Sequence, residues 1–185
     1  MFILTLAAVY VLLYLIISLP NIQDSLRSKA EYELSKLLEV PLTISRIEFS
    51  PFNRIELFDV TIPDQKGDTL LYANKIGVGI SLEELTLNDR ICLNNIQLFG
   101  MDANIVQETP NGQTNLQFII DTFQPKEQQE PAAIDLRISS AMIRRSRVSY
   151  NVLSEPHLPD SCFDANHIEI SDLSTTLNIR ALNSD

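Results

Sequence analysis

The run DSCFDANH, residues 160–167, gathers Asp160, Cys162, Asp164 and His167. Carboxylate, thiolate and imidazole are the donors that zinc-like ions take, so the chemistry these residues could do is metal ligation. A working site needs a further set of ligands, and the sequence offers no recognisable one. The run is expected to be a turn leading into a strand. PDQKGD, residues 63–68, places Asp64 and Asp68 close together. It lacks the alternating ligands and closing Glu of a calcium loop. Arg144, Arg145 and Arg147 make a small basic patch beside Tyr150, expected on the wet face of a strand. There is no Gly-rich phosphate loop, no Ser in a nucleophile elbow and no C-x-x-C pair. The chain has two His, too few for most His-based sites. No enzyme activity, no cofactor and no metal are expected.

The composition narrows the partners. Apolar residues make up 45% of the 185, enough for a core, and the formal charge is −10. Nucleic acid requires clustered Lys and Arg against its phosphates, and so does a polybasic contact with anionic headgroups; the charge argues against both. Cys92 and Cys162 are too few for a disulfide framework. One bridge would need an oxidising compartment and close Cα atoms. Two separate buried thiols are the expectation.

The elements that must position any site begin with MFILTLAAVYVLLYLIISLP, which carries no charge. As a helix its apolar run, Phe2 to Leu19, is roughly 27 Å long, close to the hydrocarbon thickness of a bilayer. Ser18-Leu19-Pro20-Asn21 makes a poor cleavage site, so the span reads as an uncleaved signal anchor rather than a signal peptide. Arg27, Lys29 and Lys36 follow it and by themselves favour a cytoplasmic side for what comes next. From Asn21, Ile22, Leu26, Ala30, Leu34, Leu37 and Leu38 fall at helical spacing, and Pro41 stops the helix. It is expected to cover one end of a sheet.

From Leu42 onward the period becomes two. Ile76-Val78-Ile80-Leu82, Ile134-Leu136-Ile138, Val148-Tyr150-Val152 and Leu173-Thr175-Leu177-Ile179 each alternate with small or polar residues. This is the antiparallel pattern of one oily and one wet face. A longer unit recurs: Ile55-Leu57-Val60-Ile62, Ile91-Leu93-Ile96-Leu98, Leu136-Ile138-Ala141-Ile143 and Ile168-Ile170-Leu173-Thr175. Its middle step is three residues, not two. Such a slip swaps faces, so a bulge or bend is expected at Asp59, Asn95, Ser140 and Asp172. YANKIGVGI at Tyr72 and DANHIEISD at Asp164 add a looser repeat about ninety residues long. The expected organisation is a transmembrane anchor over 1–20 and an amphipathic helix over 21–40. A first β-repeat follows over 41–124 with a short helix near 115–123, then a solvated linker over 125–132 and a second repeat from 133 to 185.

The oily face needs a cover or a ligand. A face left open as a groove suits an acyl chain, where each buried methylene contributes ~0.8 kcal/mol and no polar site is needed. The expected groove residues are Ile76, Val78, Ile80, Leu82, Ile134, Leu136, Ile138, Val148, Tyr150, Leu173, Leu177 and Ile179, with Gly79 on the wet face.

The stretch PLTISRIEFSPFNRIELFDVTIPDQKGDTLLYANKIGVGISLEELTLNDRICLNNIQLFG, placed after an apolar span and a short helix, resembles the start of AsmA-like and TamB proteins. Leu57, Asp59, Val60, Ile62, Asp64, Gly67, Asp68, Leu70, Leu71, Ala73, Ile76, Val78, Leu82, Leu85 and Gly100 carry the resemblance. It covers residues 1–108 well and the rest more loosely, and its style is closest to large Bacteroidota proteins. It implies a mainly β fold, a curved, repetitive antiparallel β-groove belonging to a longer chain. It also implies a single-pass inner-membrane anchor with the β-region in the periplasm, against the charge count after the span. The implied partners are membrane lipids, through their acyl chains, and an outer-membrane β-barrel assembly protein. Phospholipid transport to the outer membrane is the first functional expectation. An assembly module for outer-membrane proteins, or a closed secreted β-repeat protein, is the alternative.

Overall fold

The computed structural model describes residues 5, 19–50, 54–80, 91–123, 134–159 and 161–178. Helix α1 (Pro20–Leu38) leads into strands β1 (Thr43–Ser50), β2 (Arg54–Pro63), β3 (Thr69–Ile80) and β4 (Ile91–Gln107). A short helix α2 (Gln117–Phe123) follows, then β5 (Ile134–Val152) and β6 (His167–Asn178). The expected anchor over 1–20 and linker over 125–132 lie, but for residues 5, 19 and 20, outside the described residues. Among those described, no helix is long and apolar enough to cross a membrane.

All six strands form one open sheet in the order β1-β2-β3-β4-β5-β6. It is mixed, which corrects the expectation of an antiparallel sheet. β4 and β5 run parallel, while every other pair is antiparallel. The cause is the connection from 108 to 133. It is long enough to carry the chain back along the sheet, which a parallel pair requires and a hairpin turn cannot do. β5 and β6 extend the first sheet and do not begin another.

Pro20 starts α1 at a position where the missing N–H costs nothing. Glu39, in the left-handed region at φ 59°, ends it. Ala30, Leu34 and Leu38 lie one above the other and pack on Leu42, Ile44, Ile47 and Val60. Leu37, expected on that stripe, is exposed. A second row of the helix, Arg27, Glu31 and Ser35, meets the outer edge of β1. Glu31 Oε1 accepts from the Ile44 N–H at 2.7 Å and Oε2 from Arg27 at 2.8 Å. Ser35 Oγ accepts from the Leu42 N–H at 3.1 Å. Four helical residues rise about 6 Å, close to two residues of strand, so a row at i, i+4 can serve alternate edge groups. The helix thereby stands where a seventh strand would pair.

The middle of each strand carries the repeated slip. In the left-handed region are Asp59 (φ 48°), Gly100 (φ 57°), Arg145 (φ 49°) and Asp172 (φ 55°), one on each of β2, β4, β5 and β6. The register sets Asp59, Gly100 and Arg145 on one transverse line, with Asp172 on the far side of the Ser146↔Leu173 pair. Asp59 falls opposite Asn74 of β3, between the pairs Phe58↔Lys75 and Val60↔Ala73. Asn74 falls opposite Gly100, between Ala73↔Met101 and Lys75↔Phe99. Tyr72 donates its hydroxyl to Asp59 and Asn74 on this line, and the Asp59 carboxylate raises the phenol above its ordinary pKa. The spacing itself is more general than expected. Leu42-Ile44-Ile47-Phe49 and Leu71-Ala73-Ile76-Val78 follow it as well. In β4 and β5 the copies level with this line are Ile96-Leu98-Met101-Ala103 and Ala141-Ile143-Ser146-Val148. They sit five residues beyond the copies expected at Ile91 and Leu136. The slots at Asn95 and Ser140 do coincide with an irregularity in the β4–β5 register, but neither has a positive φ.

The opposite face has its own row. Arg46, Phe58, Lys75, Phe99 and Arg144 are successive partners across β1 to β5. Arg46 lies 4.2 Å over the Phe58 ring and Lys75 4.8 Å over Phe99. Each contact contributes about 0.5–1 kcal/mol at such exposed sites. Arg144 of the basic patch belongs to this row.

Two predictions follow from the edge and from the transverse line. The pair Glu31→Ala and Ser35→Ala should lower stability by about 1–3 kcal/mol, chiefly because the Ile44 N–H loses its partner, while the Leu42 N–H keeps its bond to the Val40 carbonyl. Amide exchange should rise at Ile44 first. Unchanged exchange there would mean that α1 does not hold the edge. At Gly100, an added Cβ would stand 2.3 Å from Asn74 Nδ2 and 3.0 Å from its Cγ. Gly100→Ala should therefore cost about 1–2 kcal/mol from the left-handed backbone, and more from Asn74. Adding Asn74→Ala should restore only the second part. Urea denaturation of the three variants separates the two, and a Gly100→Ala protein as stable as the parent would refute the bulge.

Candidate functional site

The slip decides which side chains share a face. Because the strand rotates at the bulge, residues three apart on either side of it stay together. They form rows across the sheet: Ile55-Val78-Ile96-Ala141-Leu177, Leu57-Ile76-Leu98-Ile143-Thr175 and Ile62-Leu71-Ala103-Val148-Ile170. Ile44-Val60-Ala73-Met101 continues to Ser146, whose Oγ accepts from the Met101 N–H at 3.2 Å, and then to Leu173. Ile105-Tyr150-Ile168 forms the last. None of these rows holds a charged residue. Ser146 donates to the Arg144 carbonyl, and Tyr150 donates to Gln107 Oε1.

Cover is uneven along the rows. α1 packs on β1 and β2, and Phe118 and Ile119 of α2 join the same cluster. Ile44 and Val60 are 1% and 3% exposed. Ala73, Met101 and Ala103 make a second, smaller cluster with Leu98, Ile143 and Val148 half-buried around it. At the far side Ile170 and Leu177 are 43% and 49% exposed. The result is an apolar face closed over β1 and β2 and open toward β6. A surface of this kind selects ligands by apolar area and not by hydrogen bonding.

Of the expected groove residues, Ile76, Val78, Val148, Tyr150, Leu173 and Leu177 belong to these rows, and Ile80 pairs with Leu93 beyond them. Leu82 and Ile179 lie outside the described residues. Ile134, Leu136 and Ile138 are in β5, but their side chains lie outside them. Ile76 and Val78 are on the covered half, where they pack on or near the core. Gly79 is on the opposite face by register, between Arg54 and Asn95, but it is buried and not wet. The open half includes Ile143, Ile168 and Ile170, which the two-residue period alone does not select. The three-residue step would have found them.

The other candidate chemistry is dispersed. Asp64 is buried, with Oδ1 accepting from the Lys66 and Asp68 N–H groups and Oδ2 from Asn115. It ties the β2–β3 turn to the segment that carries α2. Lys66 pairs with Glu108, and their hydrogen bond raises the lysine pKa and lowers that of the carboxyl; both are exposed, so the pair adds little. Arg147 is 3.6 Å from Glu169. Cys162 is an exposed free thiol, against the expectation of burial. The side chain of Cys92 lies outside the described residues. In DSCFDANH the structure brings Asp164 and His167 together, with Nδ1 2.9 Å from Oδ2, and does not bring Cys162 to them. Asp160 lies outside the described residues. The Leu158 N–H bond to Asp164, followed by the His167 and Asn166 bonds, holds its carboxyl below the usual range. His157 joins this pair, although no spacing or motif links it to them.

No curated protein and no solved structure matches the chain. A family description does: AsmA, over residues 1–178. That match takes in every described strand and the apolar rows they build, and on it the chain belongs to the AsmA family.

Proposed function

We propose that this chain is an inner-membrane-anchored periplasmic protein of TamB type. Its open apolar face receives phospholipid acyl chains and forms the first part of a groove leading to the outer membrane. Membership of the AsmA family supports a membrane-associated role in lipid transport or assembly. The observation that carries the finer reading is the contrast across the apolar face: Ile44 and Ile47 of β1 are 1% and 4% exposed, whereas Ile170 and Leu177 of β6 are 43% and 49%. A closed core would be buried at both ends. An acyl chain lying across β4 to β6 would gain ~0.8 kcal/mol per methylene without any polar partner. A groove without charged residues also imposes no headgroup preference of its own.

A second reading has its own observation. Among the described residues, β6 is an edge strand with no cover comparable to α1 on β1. Such an edge can take an added strand, which favours an assembly role on outer-membrane proteins.

Photocrosslinking in cells tests both. A photoreactive residue at Ile143, Ile170 or Leu177 should give phospholipid adducts. The same residue at Arg147, on the opposite face, should not. Adducts of an outer-membrane barrel protein at β6 would favour the second reading, and no adducts at any position would defeat the groove. In parallel, Ile170→Asp with Leu177→Asp should abolish lipid adducts at Ile143 while changing the melting temperature little, because both side chains are nearly half exposed. Val60→Asp, 3% exposed, should unfold the protein. If the double variant still carries lipid, the open half is not the path.

A further inference from the structure

The chain contains two histidines, His157 and His167, ten residues apart in sequence. The connection between β5 and β6 folds so that their rings face each other, with centroids 3.8 Å apart and planes at 32°. Asp164 completes a set of three. One nitrogen of each ring and one oxygen of the carboxylate lie within 4.8 Å of one another. We propose that His157, Asp164 and His167 form a binding site for a divalent transition-metal ion of the zinc class.

The donor set fits that class. Two imidazoles and a carboxylate suit borderline dications such as Zn²⁺, whereas calcium and magnesium prefer oxygen alone. Two of the three ligands are held in advance. Asp164 Oδ2 accepts from the Leu158 N–H at 2.9 Å, and Oδ1 from the Asn166 N–H at 3.1 Å. His167 is oriented by its 2.9 Å contact with that carboxylate, and both side chains are largely enclosed, at 9% and 13% exposure. Tetrahedral bonds of 2.0–2.1 Å would place the ligand atoms about 3.4 Å apart. The contraction from 4.8 Å falls to His157, which is exposed. An ion here would clip the two arms of the β5–β6 connection together below its exposed tip, where Phe163 is 81% exposed.

The test is calorimetric titration of Zn²⁺ into the 185-residue chain carrying Cys162→Ser, which removes the one described thiol. One ion should bind per chain, with a dissociation constant in the micromolar range or tighter. Adding His157→Ala should weaken binding about tenfold or more. That residue is exposed, so circular dichroism should show the fold intact. Cobalt should give the weak visible bands of a nitrogen–oxygen site, without the thiolate charge-transfer band. Binding that disappears with Cys162→Ser, that persists unchanged in His157→Ala, or that never saturates would each overturn the site.

Discussion

A β-strand that slips by one residue turns its apolar side chains to the wrong face unless the backbone rotates at the same place. Every strand of this sheet contains that slip, and the fold depends on its being made at one level from β1 to β5. Asp59, Gly100 and Arg145 take the left-handed conformation along one line that also passes Asn74, and Asp172 of β6 takes it just across the Ser146↔Leu173 pair. Asp tolerates this region better than most residues, and Gly takes it freely; Arg145 is the strained member. Were the bulges staggered, Leu57 and Val60 would not share a face with Ile76, Ala73, Leu98 and Met101. The single apolar surface would then break into alternating patches.

Given one apolar surface, the two edges divide its fate. α1 lies against β1 and places Glu31 on the Ile44 N–H, which otherwise needs water or another strand, and Ser35 on the Leu42 N–H, which it shares with the Val40 carbonyl. The same helix lays Ala30, Leu34 and Leu38 on the apolar face, so sealing the edge and covering the core are one act. Among the described residues, β6 has no such neighbour. Its apolar residues stay partly in water, and the face opens progressively toward it. The other side of the sheet needs no cover, because the Arg46-Phe58-Lys75-Phe99-Arg144 row screens the two phenyl rings with cationic side chains.

Much of this was legible in the residues. Helical spacing at Ala30, Leu34 and Leu38 marked α1, and Pro41 marked its end. The three-residue step at Leu57–Val60 and Ile170–Leu173 marked bulges where Asp59 and Asp172 in fact turn. The same pattern at Ile91 and Leu136 misled by five residues, because β4 and β5 are long enough to carry the step twice in tandem. Sequence periodicity says which residues share a face, not which strands stand level. Strand direction was hidden for a related reason: the pairing of β4 with β5 is decided by how far the connection from 108 to 133 travels. His157 was hidden because proximity across a loop leaves no periodic trace. The AsmA resemblance rested on turn and packing residues, and the family match over 1–178 agrees with it.

The parallel pair has a consequence for how the sheet is tethered. α1 runs antiparallel to β1, so it starts at the end of the sheet where β1 finishes. Six strictly alternating strands would bring the chain out at the opposite end. The one parallel step reverses β5 and β6, and β6 finishes at the same end of the sheet as α1 starts, across its width. The polypeptide therefore enters and leaves this sheet at the same end. The other end carries connections within the chain: the step from α1 to β1, the turn at Asp64, the Asn115 segment and the histidine loop. Mechanically the sheet is a cantilever. Any pull transmitted along the chain between Leu19 and Asn178 loads one end, and the free end with its turns is spared.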